Sequence, residues 1–141
     1  MNVIPENISA DQLNKSCEGS MIDFLGIKFT EVTSNSLTAT MPVNEKTKQP
    51  MGFLHGGASM VLAETLGSMA ANLVVNRDEF ICVGLEINGN HLMGVMEGEI
   101  SAKTTPLHIG KTTQVWEIKI TNTLHELVNV SRHTVAVIRK K

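Results

Sequence analysis

The run GGASMVLAETLGSMAANL at positions 56–73 constrains the fold more than any other part of the chain. It offers about five turns of good helix formers, opens on a Gly56-Gly57 pair and meets no proline until Pro106. Spaced at 100° per residue, Gly57, Met60, Glu64, Ser68 and Ala71 share one narrow stripe, while Val61, Leu62, Leu66, Met69 and Leu73 fill much of the remaining circumference. A helix that is apolar on nearly every side has to be wrapped by other elements.

The rest of the chain supplies strands for this. Residues 26–43, GIKFTEVTSNSLTATMPV, place β-branched and apolar residues on both sides of the turn-prone pair Ser34-Asn35, which predicts a β-hairpin. Beyond residue 80, FICVGLEINGNHLM, EGEISAKTTPLHIG, KTTQVWEIKITNT and ELVNVSRHTVAVIRKK predict four long strands. Within the third of these, Gln114, Trp116, Ile118 and Ile120 alternate with Thr113, Val115, Glu117 and Lys119, the pattern of an antiparallel strand with one drier face. One helix covers six strands only if the sheet curls around it. The expected class is α+β with a hot-dog fold, a curved six-stranded antiparallel sheet wrapped around one long central helix. A single domain is expected over 1–141, with 1–23 as a helical lead-in, and this length buries a sufficient core without metal or disulfide.

Charge and cysteine usage exclude several classes. Twelve basic and 14 acidic residues are scattered to a net −2, with no basic block to neutralise a run of phosphates, so no nucleic-acid partner is expected. Cys17 and Cys82 have neither disulfide-scaffold nor zinc-ligand spacing, so reduced thiols, a cytoplasmic location and no metal are expected. The N-terminus lacks the pattern of a secretory signal. Gly52, His55, Glu64 and Asn72 interrupt 50–76 well short of a membrane span, and no membrane partner is expected.

Across positions 49–76 the only fully charged side chain at neutral pH is Glu64. Burying an ionised carboxylate costs on the order of several kcal/mol unless it is paired or hydrogen-bonded. Either Glu64 lies at a helix edge and reaches solvent or a neighbouring element, or desolvation makes it a general base or nucleophile. Gln49, His55, Gly56 and Ser68 are the other polar or backbone-exposing groups of the segment, and each suits an acyl-transfer site. The Gly56-Gly57 pair is either a tight turn or a helix start whose bare amides polarise a carbonyl oxygen. Eight residues separate Gly56 from Glu64, about 12 Å along a helix axis, too far for both to touch one reacting carbonyl. Joint action therefore requires a homodimer with antiparallel helices, each site taking Gly56 from one copy and Glu64 from the other.

The stretches QPMGFLHGGASMVLAETLGS, VGLEINGNH, PLHIGKTTQVWEI and VSRHTVAVI resemble the hot-dog acyl-CoA thioesterases of the phenylacetate-pathway and 4-hydroxybenzoyl-CoA type. Within that family they are most similar to the branch containing the 1,4-dihydroxy-2-naphthoyl-CoA thioesterase of menaquinone synthesis and the proofreading thioesterase of enterobactin synthesis. The likeness runs from about Phe24 to Ile138. It implies hydrolysis of an acyl-CoA, with an aromatic acyl group, to a carboxylic acid and coenzyme A. No cofactor is implied, coenzyme A being part of the substrate. The resemblance places the nucleophile or general base on Glu64 and the carbonyl-polarising amide on Gly56. Gln49 and His55 are implied to orient the thioester or the attacking water, and Ser68 to hold that water. His91 is implied to face the acyl pocket, and His108, Gly110, Ser131 and Arg132 to contact coenzyme A, although Arg132 reads equally as a surface cation and His108 stays open. His125 and His133 read as surface or packing residues. Dimers that pair further into tetramers are expected. A carrier-protein-linked donor and a non-catalytic acyl-CoA binder are the alternatives; a hydratase would need a His and acid motif that the chain lacks.

Overall fold

The computed structural model describes residues 2–141. Two short helices, α1 (Ala10–Ser16) and α2 (Met21–Phe24), lead into strands β1 (Lys28–Val32) and β2 (Leu37–Pro42). Helix α3 (Gly56–Leu73) follows, then β3 (Phe80–His91), β4 (Glu99–Ile109), β5 (Thr113–Thr121) and β6 (Leu127–Arg139). The helical lead-in thus consists of two short helices. Ser9 opens α1 with a capping box closed by Gln12. The hairpin turns where expected, with the Thr33 N–H donating to the Ser36 carbonyl at 2.9 Å.

The six strands form one antiparallel sheet in the order β1-β2-β4-β5-β6-β3. Side chains alternate across it, so every second residue meets the helix. Leu37, Ala39 and Met41 of β2, Ile100, Ala102 and Thr104 of β4, and Gln114, Trp116, Ile118 and Ile120 of β5 are all fully buried on that face. The drier face read from KTTQVWEIKI is therefore the inner one. The Trp116 indole N–H donates to Gln114 Oε1 at 2.9 Å, which lets both polar groups enter the core.

Helix α3 packs on β2, β3, β4, β5 and β6 and buries Leu62, Ala63, Leu66, Gly67, Ala70, Ala71 and Leu73. The wrap is incomplete. Glu64 is exposed and Val61, Thr65, Ser68 and Met69 are half-buried, so the stripe carrying the carboxylate faces out of the sheet. A sheet covers only one side of a helix, and nothing in a single copy closes the other.

Strand β3 is the long edge of the sheet. Only β6 pairs with it among the described residues, and Ile81, Val83 and Leu85 are exposed along it. At its start Asn72 of α3 acts as a strand substitute. Its Oδ1 accepts the Cys82 N–H at 2.9 Å, and its Nδ2 donates to the Cys82 carbonyl at 3.1 Å. Replacing Asn72 by Ala would leave both backbone groups without these partners, at a cost of about 1–3 kcal/mol. The expected outcome is a lower urea midpoint with faster amide exchange at Cys82 than at β5; unchanged exchange there would contradict the role given to Asn72.

Candidate active site

The segment before α3 is folded back on itself. A bridge joins Lys48 to Leu54, Gly52 takes a φ of +87° at the turn, and the His55 N–H donates to the Thr47 carbonyl at 2.8 Å. This return pairs half-buried Gln49 with Phe53, to whose carbonyl its N–H donates at 2.8 Å, and its Oε1 accepts the Met51 N–H. His55 caps the helix: its Nδ1 accepts the Gly57 N–H at 2.8 Å, and its carbonyl accepts from Ala58 and Ser59 at 2.9 and 3.3 Å. The Gly56 N–H is left as the first-turn amide without an acceptor among the described residues.

His91, at the far end of β3, packs against Gly56. A Cβ on Gly56 would stand 2.9 Å from His91 Nε2, so only glycine lets the ring approach. Buried Asn129 of β6 fixes the ring, with its Nδ2 donating to His91 Nδ1 at 3.2 Å while its Oδ1 accepts the Ser131 hydroxyl at 2.5 Å. An amide nitrogen only donates, so the His91 proton is on Nε2, next to Gly56.

A second cluster lies further along the helix. Glu64 Oε1 and His133 Cε1 each lie 3.1 Å from where a Cβ on Gly84 would be, so both side chains meet over the same bare position of β3. Ser68, one turn beyond Glu64, is 3.1 Å from His133 Nε2 through its hydroxyl. No cation neutralises Glu64: the two ion pairs among the described residues, Lys28 with Asp23 and Lys119 with Glu117, are elsewhere. The desolvated carboxylate envisaged from the sequence is therefore not a property of one copy, in which Glu64 is exposed. Glu64 and Ser68 border a cleft of about 750 Å³ between α3 and the lead-in helices, walled by Ile8, Leu13, Met21, Ile22 and Met69. At its far end burial pushes the Cys82 thiol up from its ordinary value, which keeps it a thiol that donates to the Ala71 carbonyl at 3.3 Å.

The remaining candidates separate in space. His108 and Gly110 pack on each other at the β4–β5 turn, beside Val74 and Val75 just past the end of α3 and so away from Gly56. Arg132 is exposed on the outer face of β6, across from Asn88 and Glu117. Ser131, expected beside it as a coenzyme A contact, is buried on the inner face, with its hydroxyl held by Asn129 and within 3.6 Å of Met60 Sδ. Adjacent strand residues point to opposite faces, so Ser131 and Arg132 do not share a ligand surface.

Residues 51–128 match the thioesterase superfamily profile. The chain belongs to the thioesterase superfamily. Among relatives of this thioesterase is the 1,4-dihydroxy-2-naphthoyl-CoA hydrolase of Escherichia coli, 45% identical over 131 residues that cover 93% of this chain and 96% of that one. The proofreading thioesterase EntH of Cronobacter sakazakii is 42% identical over 132 residues, covering 94% and 96%. The crystal structure of a mutant of the thioesterase PA1618 from Pseudomonas aeruginosa superposes with a TM-score of 0.95 at 43% identity, over 98% of this chain and 99% of that one. The six-stranded sheet around a long helix is thus the hot-dog fold expected from the sequence.

Two residues of this thioesterase's candidate site escape a reading of the sequence, Asn129 and His133. The signal was present as the alternation Asn129, Ser131, His133, a polar row on the inner face of β6 that Val135 continues as an apolar residue. Loss of the helix cap is a direct check on the geometry at Gly57. His55→Ala should lower stability by about 1 kcal/mol, and His55→Asn, with a side-chain oxygen suited to the cap, should restore much of it in urea melts. Equal loss in both variants would mean that His55 does not cap the helix.

Proposed function

We propose that this thioesterase hydrolyses acyl-CoA esters with an apolar, aromatic acyl group, using Glu64 as general base and the Gly56 amide as oxyanion donor. The observation that carries this is the meeting of Glu64, Ser68 and an apolar cleft at one point on the open side of α3. The cleft lies in the size range of small-ligand sites, roughly 300–1,000 Å³. The relative named for 1,4-dihydroxy-2-naphthoyl-CoA supports an aromatic acyl group of that kind for this chain.

In the reaction, a water between Glu64 and Ser68 gives its proton to the carboxylate as its oxygen bonds to the thioester carbon. Negative charge on the carbonyl oxygen is met by the unpartnered Gly56 N–H and the positive end of the α3 dipole. Collapse breaks the carbon–sulfur bond, and Glu64 returns the proton to the thiolate. The products are the carboxylic acid and coenzyme A, and no cofactor takes part. Gln49 and His55 hold the substrate end at the helix start, while Arg132, on the outer face, His108 and Gly110 are left to the coenzyme A moiety. Direct attack by Glu64 is the competing route, and label in its carboxylate after turnover in 18O-water would show it.

The carboxylate and the amide come from different copies of a homodimer. Their separation of about 12 Å along one helix supports this, as do the exposed flank of α3 and the unpaired β3 edge. A long exposed edge strand otherwise invites uncontrolled pairing. A second copy across this side would dry the Glu64 region. Further pairing into a tetramer, and action in the cytoplasm, belong to the same reading.

Thiol release from aromatic, short-chain and long-chain acyl-CoAs tests the substrate class. Glu64→Ala and Glu64→Gln should each lower kcat by about 100-fold or more; wild-type rates in both would remove Glu64 from the chemistry. Mixing inactive Gln49 and Glu64 variants should restore partial activity as subunits exchange, since hybrids then contain one intact site. No recovery despite demonstrated exchange would refute the shared site.

A further inference from the structure

We propose that His133 is a positioning residue that sets the direction of the Ser68 hydroxyl, so that Ser68 accepts a hydrogen bond from the water that Glu64 activates. This rests on the roles given above to Glu64 and Ser68.

His133 is completely buried on the inner face of β6, in a slot made for it by two glycines. A Cβ on Gly67 of α3 would stand 2.8 Å from its Cδ2, and one on Gly84 of β3 would stand 3.1 Å from its Cε1. A ring flanked this closely by helix and strand has no room to turn. Both nitrogens are engaged, Nδ1 at 3.1 Å from the Glu86 carbonyl and Nε2 at 3.1 Å from Ser68 Oγ. The carbonyl is available because the β3–β6 register shifts between Gly84 and Glu86, a bulge that re-aims the backbone there.

The donor and acceptor roles follow. A carbonyl only accepts, so the hydrogen of a neutral imidazole is on Nδ1 and Nε2 presents a lone pair. Ser68 must then donate its single hydrogen to His133, leaving Oγ with lone pairs alone toward Glu64. A water between the two has one hydrogen for the carboxylate and one for Ser68 Oγ, which turns its own lone pair toward the thioester carbon. A freely rotating hydroxyl would instead donate into that lone pair, or to the carboxylate, and either would weaken the attack. His133 thus reaches the reaction without touching substrate.

The test uses the full chain and benzoyl-CoA as probe. Nitrogen-15 NMR of the wild-type imidazoles should show His133 protonated at Nδ1 only; a ring protonated at Nε2, or at both nitrogens, overturns the proposal with no variant needed. In kinetics, His133→Leu should lower kcat about tenfold, the size of one hydrogen bond, with KM nearly unchanged. In a Ser68→Ala background the same substitution should have almost no further effect, because the hydroxyl it steers is gone. Losses that multiply in the double variant, or a change confined to KM, overturn the proposal. Full activity in Ser68→Ala alone would instead bring down the water-holding role on which it stands.

Discussion

Because α3 is covered on one side by a single sheet, polar groups caught between helix and sheet have to satisfy one another. The inner face of β6 carries three of them in a row, Asn129, Ser131 and His133, all buried. An unpaired buried polar group costs about 1–3 kcal/mol, so such a row persists only if each member has a partner. Each does: Asn129 turns to His91, Ser131 to Asn129, and His133 to Ser68 and the Glu86 carbonyl. Among the described residues, no buried side-chain polar atom lacks a partner. The interior network therefore doubles as the support for groups that face outward into the site.

β3 links the two ends of the arrangement. Its last residue, His91, covers the start of α3, while Gly84 near its beginning gives way to Glu64 and His133. The strand is fastened on one side by β6 and, at Cys82, by Asn72 from the helix. These attachments set one strand against both Gly56 and Glu64, which lie about 12 Å apart along the helix axis. The exposed flank of α3 and the unpaired edge of β3 lie on the two elements that carry these residues, and on the proposed shared site a partner copy would cover both.

Much of this was legible in the sequence. A helix apolar nearly all round, set among six β-rich stretches, leaves few ways to pack, and the alternation of Gln114, Trp116, Ile118 and Ile120 correctly marked an inner face. The helix start was legible because Gly56 and His55 act through local geometry, within a few residues of each other. What stayed hidden depends on strand register. Whether Ser131 or Arg132 faces inward turns on a one-residue phase that composition does not specify. The partner of Ser68 lies 65 positions away. Whether Glu64 reaches solvent or is desolvated was left open by its apolar neighbours, because a sheet covers only one side of a helix and the carboxylate shares the stripe that stays open.

The two glycines around His133 carry a consequence for how this thioesterase can change over time. Gly67 and Gly84 lie on different elements and do not depend on each other for backbone conformation, since neither has a positive φ. They are tied through the imidazole that fills the space both leave. While that ring is present, a methyl group at Gly67 would clash with it and one at Gly84 would press on both the ring and Glu64; once the ring is exchanged for something smaller, Gly67 is released and Gly84 is left with the carboxylate alone. The three positions are therefore linked across a helix and two strands: the histidine has to move before Gly67 can change, while Gly84 answers to the carboxylate as well.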